Sequence, residues 1–167
     1  MQTKLLGALG ALALLAACSN SNDQAGAATG AGASAGAGAG GLGSVRPGSQ
    51  EDLVANVGDR VFFEFDSSSV RGDQRDVLVR QAGWLNQYPQ VQATIEGHTD
   101  ERGTREYNLA LGQRRANSAR DVLVASGVAG SRLSTISYGK DRPAALGSDE
   151  SAWAQNRRAV TVLSLIH

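Results

Sequence analysis

Residues 96–117 read EGHTDERGTREYNLALGQRRAN, with charged and small polar residues crowded between two ordered patterns. On the N-terminal side, Val91, Ala93 and Ile95 alternate with Gln92, Thr94 and Glu96, the period of a half-buried strand. On the C-terminal side, Leu109, Gly112, Ala116, Ala119 and Leu123 fall at helical spacing and predict a helix over about 106–126, stopped by Gly127. The middle of this stripe is small, so the helix can approach a sheet closely. A neighbouring stripe about 100° round the helix carries Asn108, Leu111, Arg115 and Ser118, which places Arg115 at the edge of the core. Residues 97–105 form the loop between strand and helix.

Working outward, VFFEF at 61–65 is a β-rich run that ends in the turn formers Asp66-Ser67-Ser68-Ser69. Residues 73–88 read as a helix with Val77, Leu78, Ala82 and Leu85 on one side, and Pro89 stops it. Residues 133–138 form a third strand and 139–147, with Pro143, a loop. A short helix over 148–156 precedes a fourth strand at 159–165, apolar on both faces. The order β-α-β-α-β-(short α)-β predicts an α/β fold: a two-layer sandwich with helices on one face of a mixed four-stranded sheet. The crossover from second to third strand through the long helix is expected to be right-handed if the two are parallel neighbours.

The loop raises a chemical question. Asp100 follows a strand and precedes a helix N-terminus, while Arg115 offers a planar fork of donors that can grip a carboxylate. A ligand with an ammonium and a carboxylate on the same carbon would fit between them; alternatively the two side chains pair with each other. His98 and Asp100 beside Glu96 could do acid–base or metal chemistry, but no third convergent ligand is visible. No nucleophile turn or zinc motif appears, and His167 is the only other histidine, so neither catalysis, a metal nor a cofactor is expected. His98 is expected in the loop or the pocket wall.

GHTDERGTREYNLALGQRRAN resembles the signature of the OmpA-like peptidoglycan-binding domain. FFEFDSSSV, SYGKDRPAALGSDE and NRRAV extend the resemblance over most of 61–165. It implies noncovalent binding to the peptidoglycan stem peptide, at the diaminopimelate residue whose side chain ends in a second amino-acid centre. Carried onto this chain, Asp100 takes the ammonium and Arg115 the carboxylate. Phe65 and Asp66 line the wall, and Thr104, Asn108 and Leu111 complete the pocket. Each has a plainer reading: Phe65 as a core aromatic, Asp66 as a cap before the first helix, Asn108 as a helix-start residue, Leu111 as packing. Arg157 and Arg158 could close the sheet or bridge carboxylates. The resemblance also implies a TolB-like periplasmic protein as a second partner, and a protein-interaction module with little wall binding is the alternative function.

The first residues, MQTKLLGALGALALLAAC, put one lysine before a short apolar run that ends in Leu-Ala-Ala-Cys. That resembles the bacterial lipobox and predicts a signal peptide at 1–17 with acylation of Cys18, the single cysteine, which has no disulfide partner in an exported chain. Ser19 points to the outer membrane, with the folded domain facing the periplasm. Several acyl chains give a firm anchor, at about 0.8 kcal/mol per buried methylene. Residues 18–52 are rich in alanine and glycine and are expected to form a tether spanning roughly 35 Å root-mean-square. The domain is then 53–167. Lys plus Arg and Asp plus Glu are balanced at 16 each, which leaves no basic footprint for nucleic acid.

Overall fold

The computed structural model describes residues 45–165. The expected signal peptide, Cys18, most of the expected tether and His167 lie outside the described residues. The elements run α1 (Gln50–Asn56), β1 (Arg60–Phe62), α2 (Gly72–Gln87), β2 (Val91–His98), α3 (Arg105–Ala125), a 3-10 turn (Gly130–Arg132), β3 (Leu133–Gly139), α4 (Glu150–Asn156) and β4 (Arg158–Leu165). The sheet order is β1-β4-β2-β3, with β4 antiparallel to both its neighbours and β2 parallel to β3. The mixed sheet expected from the sequence is therefore present, and β2-α3-β3 is its parallel crossover.

Why α3 lies against the sheet follows from its small residues. A Cβ on Gly97 of β2 would stand 1.8 Å from the Gly112 carbonyl oxygen, and one on Gly112 would stand 2.3 Å from Ser137 Oγ. Helix and strands touch backbone to backbone here. Around this contact Ala116, Ala119 and Leu123 of α3 join Ile95, Ala93 and Leu85 in the core. On the same face α2 is tied down by Gln81, fully buried, which donates to the Gly58 carbonyl at 2.7 Å and accepts from Thr161 Oγ1 at 2.8 Å.

Two segments differ from the sequence expectation. The first strand ends at Phe62 instead of continuing to Phe65. The Phe63 amide still donates to the Arg157 carbonyl at 2.9 Å, and the chain then leaves the ladder, because the Phe63 and Glu64 carbonyls are taken by the side chains of Arg157 and Arg115. A helix, α1, also precedes β1 where the sequence pattern announced none. Ser49 caps α1 by accepting from the Asp52 amide at 3.2 Å, while the Asp52 carboxylate reaches back to the Gly48 amide at 2.8 Å. Gln50 then bonds the Thr161 carbonyl and the Leu163 amide, at 3.1 and 2.8 Å. It stands in for the strand pairing that the three-residue β1 leaves unmade beside β4.

Candidate functional site

The loop from Thr99 to Thr104 is fixed at both ends, Thr99 donating its amide to the Gly139 carbonyl at 2.9 Å. Thr104 caps α3, its hydroxyl accepting from the Tyr107 amide at 3.2 Å. Asn108, 1% exposed, donates to the carbonyls of Arg102 and Thr104 at 2.8 and 3.0 Å. Gly103 takes φ +94°, a conformation that favours glycine, and lets the chain turn into the helix. Asp66, on the loop after β1, is the one non-glycine residue with positive φ among the described residues, and its carboxylate accepts from the Tyr107 hydroxyl.

These segments enclose a cleft of about 190 Å³ lined by Phe65, Asp66, Thr99, Asp100, Arg102, Gly103, Tyr107, Asn108, Leu111 and Arg115. All the site residues expected from the sequence are here except Thr104, whose hydroxyl is committed to the helix cap. Phe65 is 59% exposed and is not the core aromatic; Phe63, at 3%, is. Asp66 does not cap α2, whose N-cap is Arg71 without a side-chain bond. Leu111 is buried yet stands apart from the main hydrophobic cluster, against the cleft.

Asp100 and Arg115 share the cleft without bonding each other. Arg115 has no exposed surface, deeper than the core-edge position its helical stripe suggested. Its Nε donates to the Ser67 carbonyl at 2.7 Å, Nη1 to the His98 carbonyl at 2.9 Å and Nη2 to the Glu64 carbonyl at 3.0 Å. A guanidinium has five N–H donors, so one on each terminal nitrogen remains. Burial pushes this guanidinium down to about 10, against the opposing charge of Asp100, which still leaves it a cation at neutral pH. Asp100 is 4% exposed and pairs with Arg102, Nη2 to Oδ2 at 2.6 Å. Burial pushes its carboxyl up, but the bonds from the Arg102 side chain and amide outweigh this and hold it below the ordinary carboxylate range. Arg157 Nη1 stands 3.5 Å from the same oxygen, while its other nitrogens hold Glu150 and the Phe63 carbonyl. Arg157 therefore both closes the sheet and bridges carboxylates, and Arg158 bonds the carbonyls of Asn156 and Arg142.

Sequence reasoning missed Arg102, Tyr107, Thr99 and Gly103 as cleft residues. The Thr-x-x-Tyr spacing marks the cap but not that the tyrosine ring turns toward Asp66.

His98 is not a loop or pocket-wall residue. It ends β2 with its ring buried against Tyr138, centroids 5.6 Å apart, and neither ring nitrogen makes a hydrogen bond. Burial, then the charges of Arg158 and Arg142, push its imidazole down to about 4, although the Glu96 carboxylate lies 3.4 Å from Nε2. Its unfolded value is about 6.5, so between these values the unfolded chain binds the proton and the folded one does not. Stability is full above about pH 6.5 and should fall by up to about 3 kcal/mol as pH drops toward 4. Urea unfolding at pH 7, 6, 5 and 4.5 should show this slope, and His98→Leu should flatten it. A slope unchanged in the variant would assign it to other groups.

The OmpA family model matches residues 62–157. A peptidoglycan-associated lipoprotein of Mesorhizobium japonicum is 64% identical over 124 residues, 74% of each chain. One from Pasteurella multocida is 42% identical over 160 residues, 95% of each chain. The crystal structure of the peptidoglycan-associated lipoprotein from Burkholderia pseudomallei superposes with a TM-score of 0.62 at 48% identity, covering 64% of this chain and 90% of that one. Fold and these matches agree: the chain belongs to the OmpA family, among the peptidoglycan-associated lipoproteins.

Proposed function

We propose that the cleft clasps the diaminopimelate side chain of the peptidoglycan stem peptide, Asp100 taking the ammonium and Arg115 the carboxylate. One observation carries this reading: an acid and an arginine line the same cleft unbonded to each other, and the arginine keeps one donor on each terminal nitrogen. That remaining pair suits a carboxylate gripped in bidentate fashion. The family is structural and non-enzymatic, so the cleft binds and does not convert. Acyl chains on Cys18 hold the outer membrane, the Ala/Gly segment supplies reach, and the domain ties that membrane to the wall in the periplasm. A TolB-like protein of the Tol-Pal system is the second partner, with envelope integrity and constriction at division as the purpose. In favour of a protein partner, Leu146 is 91% exposed and borders a second cavity that shares Thr99 with the cleft wall.

Co-sedimentation of the full chain with purified peptidoglycan tests the clasp. Asp100→Asn keeps the shape and an acceptor for the Arg102 amide but removes the charge. Truncating a buried charged partner costs about 2–5 kcal/mol, so binding should weaken more than about tenfold. Undiminished co-sedimentation by this variant would refute the assignment of Asp100.

A further inference from the structure

We propose that Arg102 is a built-in competitor for the ammonium place: its guanidinium occupies the cation box of Asp100, Phe65 and Trp153 and must swing out before an external ammonium can enter. The inference rests on the clasp reading and adds its regulation.

The box is made from three separate parts of the chain. Arg102 Nη2 and Nε meet the two Asp100 oxygens at 2.6 and 3.2 Å. The guanidinium centre lies 4.0 Å from the Phe65 ring centroid and 4.0 Å from that of Trp153. Two aromatic faces and a carboxylate around one cation form a site selective for cations, and it is filled by the chain's own residue. Trp153 is held in place by its indole N–H donating to Glu101 Oε1 at 3.1 Å.

The carboxylate that an ammonium needs is covered in this arrangement. Asp100 is 4% exposed. The Arg102 side chain, by contrast, is 31% exposed, and Phe65 is 59% exposed. Solvent thus reaches the cover more than what it covers. The Arg102 backbone is anchored independently, its carbonyl accepting from Asn108 and its amide donating to Asp100 Oδ1 at 3.1 Å. Opening therefore needs a change of side-chain rotamer on a fixed hinge, not unfolding of the loop. The carboxylate is not abandoned when Arg102 leaves: buried Arg157 Nη1, which makes no hydrogen bond, stands 3.5 Å away. An internal competitor lowers apparent affinity by the fraction of time the box is open. It also rejects a neutral ligand, which gains nothing that would replace the lost ion pair.

The test is calorimetry on the full chain with the tripeptide L-Ala-D-Glu-meso-diaminopimelate, comparing wild type with Arg102→Met, which keeps the stem and removes the charge. Binding should tighten by about tenfold, the scale of a partly buried ion pair with two cation–π contacts. Arg102→Lys, a weaker competitor, should fall between. The indole N–H resonance of Trp153 should shift in Arg102→Met before peptide is added, with Trp84 unmoved as control. Unchanged or weaker binding by Arg102→Met, with binding by wild type intact, overturns the competitor and leaves the clasp standing. No binding by either form overturns both. If Arg102→Met loses its fold, Arg102→Lys carries the comparison, and equal or weaker binding than wild type then overturns the proposal.

Discussion

Arg115→Ala is expected to lose about 3–5 kcal/mol of stability in urea unfolding and to weaken binding of the diaminopimelate tripeptide more than about a hundredfold. The stability loss has a plain cause. Three backbone carbonyls, of Glu64, Ser67 and His98, receive their side-chain hydrogen bonds from this one guanidinium. They belong to the loop after β1 and to the end of β2, so Arg115 pins both sides of the cleft to α3. Phe63 packs beneath, its ring centroid 5.2 Å from the guanidinium carbon. Arg115→Lys keeps the charge but gathers its donors on one nitrogen, so it should retain part of the stability and none of the bidentate grip. If Arg115→Ala unfolds within about 1 kcal/mol of wild type, the pinning role is wrong.

Gly97→Ala carries the second large effect. The added Cβ would meet the Gly112 carbonyl oxygen at 1.8 Å and its carbon at 2.5 Å, atoms of backbone that no rotamer can move aside. Helix α3 must retreat from β2, and we expect a loss above about 3 kcal/mol or no folded protein. The consequence reaches the cleft, because the ladder slips register between Gly97 and His98, just where the chain turns toward Asp100. Gly83 makes the control: it lies exposed in α2 with no atom near an added Cβ, and Gly83→Ala should stabilise by about 0.5–1 kcal/mol. Thermal unfolding of the two variants side by side reads both effects. Similar behaviour in the two would contradict the close approach.

What could be read in the sequence was whatever repeats along one element. The stripe Gly112, Ala116, Ala119, Leu123 announced a helix seated closely on a sheet, and the alternation of Val91, Ala93 and Ile95 announced the strand beneath it. The same helical phase put Asn108, Leu111 and Arg115 side by side, and the structure brings them to one cleft with Asp100. Contacts between distant elements left no such trace. Arg102 looks like any loop arginine until Phe65 and Trp153 close on either side of it. Tyr107 looks like a surface residue until the loop after β1 brings Asp66 to its hydroxyl. Helix α1 was hidden differently. Ser49-Gln50-Glu51-Asp52 carries a capping pattern, but the alanine and glycine before it and a length of seven residues masked the start of the fold.

Arg157 and Arg158 illustrate a role that sequence leaves open. Both are almost fully buried at the junction of α4 and β4, and both spend donors on backbone carbonyls of other segments, Arg157 on Phe63 and Arg158 on Arg142. Arg157 adds a charge beside Asp100, so the anion site is braced from behind by one arginine and covered in front by another. Arg115, by contrast, spends the three donors it uses on backbone carbonyls, which fixes its geometry without neutralising it.

In the proposed clasp a carboxylate and an ammonium on one carbon are gripped together. Calorimetry of the full chain with two stem peptides, one ending in meso-diaminopimelate and one in lysine, tests it most directly. Lysine keeps the ammonium and lacks the second carboxylate. The first should bind, and the second should bind at least about tenfold more weakly, with the difference reduced in Arg115→Lys. Equal binding of the two peptides by the wild type, or binding of neither by the folded chain, would contradict it.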